Sequence, residues 1–201
     1  MLTPLIVALA LVALFTALTV WWMDRAAELS TRAERDAVSA QWEALVLQRQ
    51  DLRLAVDERG EPTLHGRASG VSYTLGVLAR DDGWGGLVGV QARAEGPAFD
   101  LLVHRGPDAP EWLASPGEPF ATGDADFDSV FTARAADVEG ARARLDPGVR
   151  AAILAVPGVS LSLRDGALVV VTELNASEVD GALIDSVVTV VAGLCAPPQQ
   201  G

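Results

Sequence analysis

Residues 159–195 read VSLSLRDGALVVVTELNASEVDGALIDSVVTVVAGLC, and the hydrophobic period changes partway along this stretch. Val159–Leu163 alternates apolar with polar residues, the pattern of a half-buried strand, and Leu168–Thr172 is rich in β-branched residues. Asp165–Gly166 stands between them, and an Asp-Gly pair suits the two positive backbone angles of a type I′ turn. The two segments therefore read as a hairpin in which Leu161 faces Val170 and Leu163 faces Leu168. A helix is expected to start near Ser177, with Asp180 three residues on completing a capping box. Val179, Leu183, Val187, Val190 and Leu194 make its inward stripe. Ala182–Cys195 carries no charge except Asp185, but its 14 residues are too few to span a bilayer.

Working upstream, Asp146 is placed to cap a helix whose first position is Pro147, where the missing amide hydrogen is no loss. That helix presents Val149, Ile153 and Leu154 on one side and stops at Pro157. Asp137 caps a shorter helix running to Leu145, and Phe127–Ala133 reads as a strand. Gly106–Asp126 is rich in Pro and Gly and reads as a long connection. Before it come strand candidates at Leu52–Asp57, Leu64–Ala68, Val71–Ala79, Leu87–Ala94 and Phe99–Val103. They are broken by a turn at Arg59–Pro62, by Ser69–Gly70 and by a loop at Asp81–Gly86, and together they suggest an antiparallel meander. Strands gathered first, then helix, hairpin and helix, argue for an α+β fold in which helices cover a mostly antiparallel sheet.

The segment LHGRASGVSYTL at Leu64–Leu75 is followed by a strand pair. Then come TGDADFDSVF at Thr122–Phe131, the helix LDPGVRAAILAVPG at Leu145–Gly158, the hairpin and the closing helix. In this order the chain resembles membrane-anchored α+β proteins of unknown function from GC-rich bacteria, over Leu52 to Leu194. The resemblance implies the architecture. That family carries no assigned activity or ligand, so no site residue is implied.

The N-terminal quarter has a different character. Leu5–Met23 reads LIVALALVALFTALTVWWM, without a charge and with Thr16 and Thr19 as its only polar residues. About 20 such residues cross the hydrocarbon layer as a helix. Trp21 and Trp22 mark a membrane interface, and Asp24 and Arg25 end the run. A cleaved signal peptide would need a basic stretch before the run and a small-x-small site after it, and neither is present. The lipid bilayer is thus the partner expected through Leu5–Met23, as a single-pass anchor. Asp24–Gln50 lacks Gly and Pro, consists largely of helix formers, and repeats Leu29, Ala33, Ala37, Val38, Trp42, Leu45 and Val46 at roughly helical spacing. It reads as a helical stalk whose apolar stripe packs either on the domain or on another copy. The chain divides into an anchor (1–23), a stalk (24–50) and an α+β domain (51–201). Arg25, Arg32 and Arg35 follow the span and no basic side chain precedes it, which favours a cytoplasm-facing domain; export to the periplasmic side is the alternative.

The 201 residues carry a formal charge of −12, and all 15 basic residues are arginine. Five of the 27 acids and four of the arginines precede Asp51, which leaves −11 beyond it. Such acidity disfavours nucleic acid and anionic lipid surfaces. One cysteine, Cys195, excludes an internal disulfide and reads as a small buried hydrophobe at the end of an apolar helix.

Five groups of residues are candidates for chemistry or contact. Asp124, Asp126 and Asp128 open a calcium-loop pattern, but Ser129 and Ala135 stand where a twelve-residue loop needs Gly and a carboxylate, so an acidic turn is the simpler reading. His65 and His104, the only histidines, lie in strand-like segments without metal-ligand spacing. Ser69, in GRASG, lacks the spacing of a nucleophile elbow. Gly83, Gly85, Gly86 and Gly89 match no phosphate-binding pattern. Trp84 and Trp112 sit in Gly- and Pro-rich loops and read either as contact residues or as lids on the sheet. No catalytic residue, metal ligand or cofactor follows from these patterns. The functional expectation is a membrane-tethered interaction or structural module with an unidentified protein partner. The alternative is a membrane-anchored hydrolase or other small-molecule enzyme, with a site at the loop edge that gathers His65, His104 and the Asp124–Asp128 run.

Overall fold

The structure, a computed structural model, describes residues 25, 30–78, 87–94, 99–106 and 117–197. The apolar run Leu5–Met23, the Asp81–Gly86 loop, Trp84 and Trp112 lie outside the described residues. Among the described residues no helix is long and apolar enough to cross a membrane.

A helix, α1 (30–48), leads into four strands: β1 (Arg53–Val56), β2 (Pro62–Ala68), β3 (Val71–Val77) and β4 (Leu87–Arg93). Then follow β5 (Leu101–Arg105), β6 (Glu118–Phe120), the short helix α2 (Ala125–Val130), β7 (Phe131–Ala135), and helices α3 (Val138–Arg144) and α4 (Pro147–Ala155). The chain closes with β8 (Ser160–Arg164), β9 (Ala167–Asn175), a 3-10 turn at Ala176–Glu178 and α5 (Gly181–Cys195). All nine strands join one sheet in the order β1-β2-β3-β4-β9-β8-β5-β7-β6, with antiparallel neighbours throughout. The α+β class with an antiparallel sheet and covering helices is therefore as expected.

The hairpin is also as expected. Leu161 pairs with Val170 and Leu163 with Leu168, and Asp165 and Gly166 take φ of 50° and 74°, the two positive angles a type I′ turn demands. Ser69 and Gly70 repeat the device between β2 and β3, with φ of 49° and 89°.

Five expectations need correction. The meander stops at β4: β5 pairs with β8 and β7, because the C-terminal hairpin inserts between β4 and β5. Local alternation shows that a strand exists and not which neighbour it takes, so this insertion was invisible in the sequence. The strand expected at Phe127–Ala133 is split. Asp124 accepts a hydrogen bond from the Phe127 amide at 3.2 Å and starts helix α2, whose first turn holds Asp126 and Asp128 where the helix dipole favours acids; β7 begins only at Phe131. The connection Gly106–Asp126 contains an edge strand, β6, paired to β7. The closing helix starts four residues later than expected. Glu178 reaches back to the Asn175 amide at 2.7 Å and closes the separate 3-10 turn, and Asp180 itself caps α5 through the Leu183 amide at 2.8 Å. Asp137 and Asp146 cap α3 and α4 as read, but Leu154 points outward while Val149 and Ile153 are buried.

One side of the sheet holds the core. Leu64, Leu75, Val90, Val170, Leu161, Leu168, Leu101 and Val103 meet the buried faces of α4 and α5, where Val187, Val190, Val191 and Leu194 lie. The stripe on α1 packs on the domain. Trp42 is fully buried, Val38 nearly so, and the Trp42 indole donates to the Ala176 carbonyl at 3.1 Å. Gln41 donates to the carbonyls of Ser177 and Val179, and the Arg35 guanidinium grips Glu61 at 2.5 and 3.2 Å. The change of pattern at Gln50 marks where helix gives way to strand, and the packed core continues across it.

Candidate functional site on the open face of the sheet

Strand alternation sends every second residue to the side away from the helices. Cross-strand partners share a face, so the register lays these residues out in rows. One row runs Arg67 (β2), Ser72 (β3), Arg93 (β4), Ala167 (β9), Arg164 (β8), where Ser72 and Arg93 stand one residue beyond the last β3–β4 pair, Tyr73 with Ala92. The next runs Arg53 (β1), His65 (β2), Thr74 (β3), Gln91 (β4), Val169 (β9), Ser162 (β8). Neither row contains an acid or a Phe, Tyr or Trp. Arg53, Arg67, Arg93 and Arg164 are all exposed. Among the described residues Arg53, Arg67 and Arg93 make no ion pair, and Arg164 has only a 3.8 Å contact with its exposed neighbour Asp165. With strands about 4.8 Å apart, successive arginines of the row Arg67, Arg93 and Arg164 stand about 10 Å apart. A chain of charge −12 thus gathers four arginines, none held by a strong partner, on one surface.

His65 sits near the β1 edge of this surface, held between two hydroxyls: its Nδ1 lies 3.0 Å from Thr74 Oγ1 and its Nε2 3.3 Å from Thr63 Oγ1. β1 begins only at Arg53 while β2 runs on to Ala68, which leaves a notch of about 600 Å³ lined by Asp51, Arg53, His65, Arg67, Ser72 and Tyr73. Tyr73 belongs to the opposite, packed side, where its ring end lies over Gly66. A Cβ on that glycine would stand 2.4 Å from the phenol oxygen, so only glycine fits. The Tyr73 hydroxyl is buried with no hydrogen-bond partner among the described residues, and burial pushes its pKa up to about 12.

The residues singled out in the sequence are not brought together. His65 is on β2 and His104 on β5, five strand spacings or about 24 Å apart. His104 is fully buried on the open side, its Nδ1 3.4 Å from the Arg105 carbonyl and its Nε2 without a partner among the described residues. Asp124 and Asp128 are committed to local structure. Asp124 caps α2 and pairs with Arg150 at 3.0 Å, and the Phe127 amide and then Arg150 hold its carboxyl below the usual carboxylate range. Asp128 accepts from the Thr122 amide, the Thr122 hydroxyl and the Gly123 amide at 3.0, 2.8 and 3.2 Å. Asp126 is exposed, and among the described residues no three His, Cys, Asp or Glu side chains group as a metal site would need. Cys195 is buried, and burial pushes its thiol up to about 11. Ser69 is a turn residue.

The sequence reading missed the arginines. Each occupies a polar position of an alternating strand and is unremarkable alone; their common face emerges only from a sheet order in which β9 and β8 follow β4. Comparison with protein families, curated proteins and solved structures gives no match for this chain.

Proposed function

We propose that this chain is a membrane-tethered interaction module, anchored through Leu5–Met23 with its domain on the cytoplasmic side, and that the open face of the sheet is its contact surface. The observation that carries the reading is the row of exposed arginines without strong partners on an otherwise acidic domain. Single exposed charges are ordinary, but four of one sign on one face, with no acid in either row and the nearby Asp51 turned to Arg49, are a surface organised for an anionic partner. The rigid attachment of α1 through Trp42 supports the tether, because a helix packed into the core fixes the domain's orientation relative to whatever holds its N-terminal end. The resemblance to membrane-anchored bacterial proteins points the same way.

Extraction of host membranes with alkaline carbonate tests the anchor. The chain is expected to stay in the pellet, and Leu11→Arg with Leu14→Arg to release it, since each arginine at the centre of a span costs about 3 kcal/mol. Release of the unaltered chain would refute the tether. Orientation is read in the same cells from Arg32→Cys in a Cys195→Ser background with a membrane-impermeant maleimide, Arg32 being exposed on α1. Labelling only after lysis is expected; labelling of intact cells would put the domain on the periplasmic side.

A further inference from the structure

We infer that the row Arg67–Arg93–Arg164 is a docking track for an extended acidic segment of a partner protein. The inference rests on the interaction-module reading and names the chemistry of the partner. The residues between the arginines, Ser72 and Ala167, are small, so three guanidinium groups rise at about 10 Å intervals from a low floor that crosses the strands. An extended polypeptide advances about 3.1–3.4 Å per residue, so acids at every third position repeat at that interval. A polyproline II segment, with three residues per turn, puts every third side chain on one side. Each guanidinium can then take one carboxylate through two parallel hydrogen bonds.

Other anions fit less well. Single-stranded nucleic acid binds through successive bases stacked on aromatic rings, and these rows offer one ring, the His65 imidazole, which is held between two hydroxyls. A long polyanion would also run off the track onto a domain of strongly negative charge. A lone phosphate uses one or two of the arginines and leaves the spacing of the row without a role. On the tether reading, the chain's own bilayer is reached from the other end of α1. The arginine row is at the end of the sheet beside Gln50 and Asp51, where α1 finishes. The other end of α1, which leads back to Leu5–Met23, lies near Glu61, at the opposite end of β2. The 19 residues of α1 separate the two by about 28 Å.

The test uses the full chain in a neutral detergent, so its outcome does not depend on the tether. The probe is a fluorescent peptide with glutamate at every third position, compared with the same peptide carrying glutamine and read by anisotropy. The glutamate peptide is expected to bind, the glutamine peptide not to, and binding to fall about tenfold between low and physiological salt. Arg93→Glu should weaken binding at least about tenfold by setting a like charge against the peptide at the centre of the row. Arg93→Gln should weaken it less, and Arg32→Glu on α1 should leave it unchanged. Melting curves of the variants should match the parent, since all sites are exposed. Equal binding of the two peptides, or an Arg93→Glu variant that binds like the parent, overturns the track. Tighter binding of a single-stranded oligonucleotide, of pyrophosphate, or of anionic vesicles than of the peptide overturns the choice of partner. Loss of carbonate-resistant anchoring with peptide binding intact would sink the tether and leave the track standing.

Discussion

The two faces of this sheet are built from the same strands, one residue out of step, and they obey different rules. Along β9, Leu168, Val170 and Thr172 are at most 4% exposed on the helix side, whereas Ala167 is exposed and Val169 and Val171 are half-buried on the other side. The helix side is filled by shape: Gly66 exists to admit the Tyr73 ring, and Val149 packs where Gly193 leaves room. The open side is not uniformly open, since Leu102 and His104 on β5 are fully buried there. Beyond β5 the face opens again at the edge, where Pro119 on β6 is exposed, but the four arginines stand on β1, β2, β4 and β8. Packing therefore constrains one set of residues and leaves the alternate set free to carry charge, which is why a binding surface can be laid on this sheet at little cost to the fold.

The largest effect is expected from placing the same charge on each face at neighbouring positions. Leu168→Asp puts a carboxylate into a fully buried site with no partner, a change that costs several kcal/mol, on the order of 4 or more, and should leave no cooperative thermal transition. Val169→Asp, one residue on and on the open face, should fold and cost about 1 kcal/mol or less. If both variants melt alike, the assignment of the faces is wrong.

A smaller loss is expected at the junction with α1. Trp42→Ala empties a fully buried site and strands the Ala176 carbonyl, for about 3–5 kcal/mol. A chain begun at Asp51 lacks Val38 as well and should aggregate, because both side chains complete the packed side of the sheet. Thermal melts and gel filtration check both; a well-behaved truncated domain with an unchanged melting point would show that α1 is an appendage.

How much of this was legible depended on how local the signal was. The Asp165–Gly166 turn and the caps at Asp137 and Asp146 were readable because turn and cap chemistry act within a few residues. The stripe Val179, Leu183, Val187, Val190 and Leu194 was readable because helical periodicity reports one face. The neighbour of β5 was not, since nothing in Leu101–Arg105 says that a hairpin some 60 residues later will lie beside it. The helix at Ala125–Val130 was hidden because Asp124, Asp126 and Asp128 look like metal ligands or turn acids in sequence, and their capping role depends on which amides they meet. The arginine track needed both the face and the strand order, so it was the least legible feature of all.

The smallest effect concerns the Tyr73 hydroxyl, a buried side-chain polar group on the packed side without a partner among the described residues. Tyr73→Phe removes a buried hydroxyl that has no partner among the described residues, so at neutral pH it should be neutral or stabilising by up to about 1 kcal/mol, where truncating a satisfied hydroxyl would destabilise. Alkaline pH gives the sharper reading. Burial raises the Tyr73 phenol from 10.0 to about 12, so the folded state holds its proton more tightly than the unfolded state does. The stability that comes with this difference is fully present below pH 10.0 and is lost as pH rises toward 12. Cys195 has the same sign at lower pH, its thiol raised from 9.0 to about 11 by burial. Denaturant melts from neutral pH upward should therefore show stability falling above pH 9.0, first through Cys195 and then through Tyr73. In Tyr73→Phe the second part of that fall should disappear and the first remain. Because Tyr73 is the only tyrosine in the chain, phenolate absorbance reads it without interference. A phenol that titrates at its ordinary value in the folded protein would mean that water reaches the Tyr73 hydroxyl through the notch beside Arg53 and Arg67, and that the packed side of the sheet is open to the arginine-bearing side at that point.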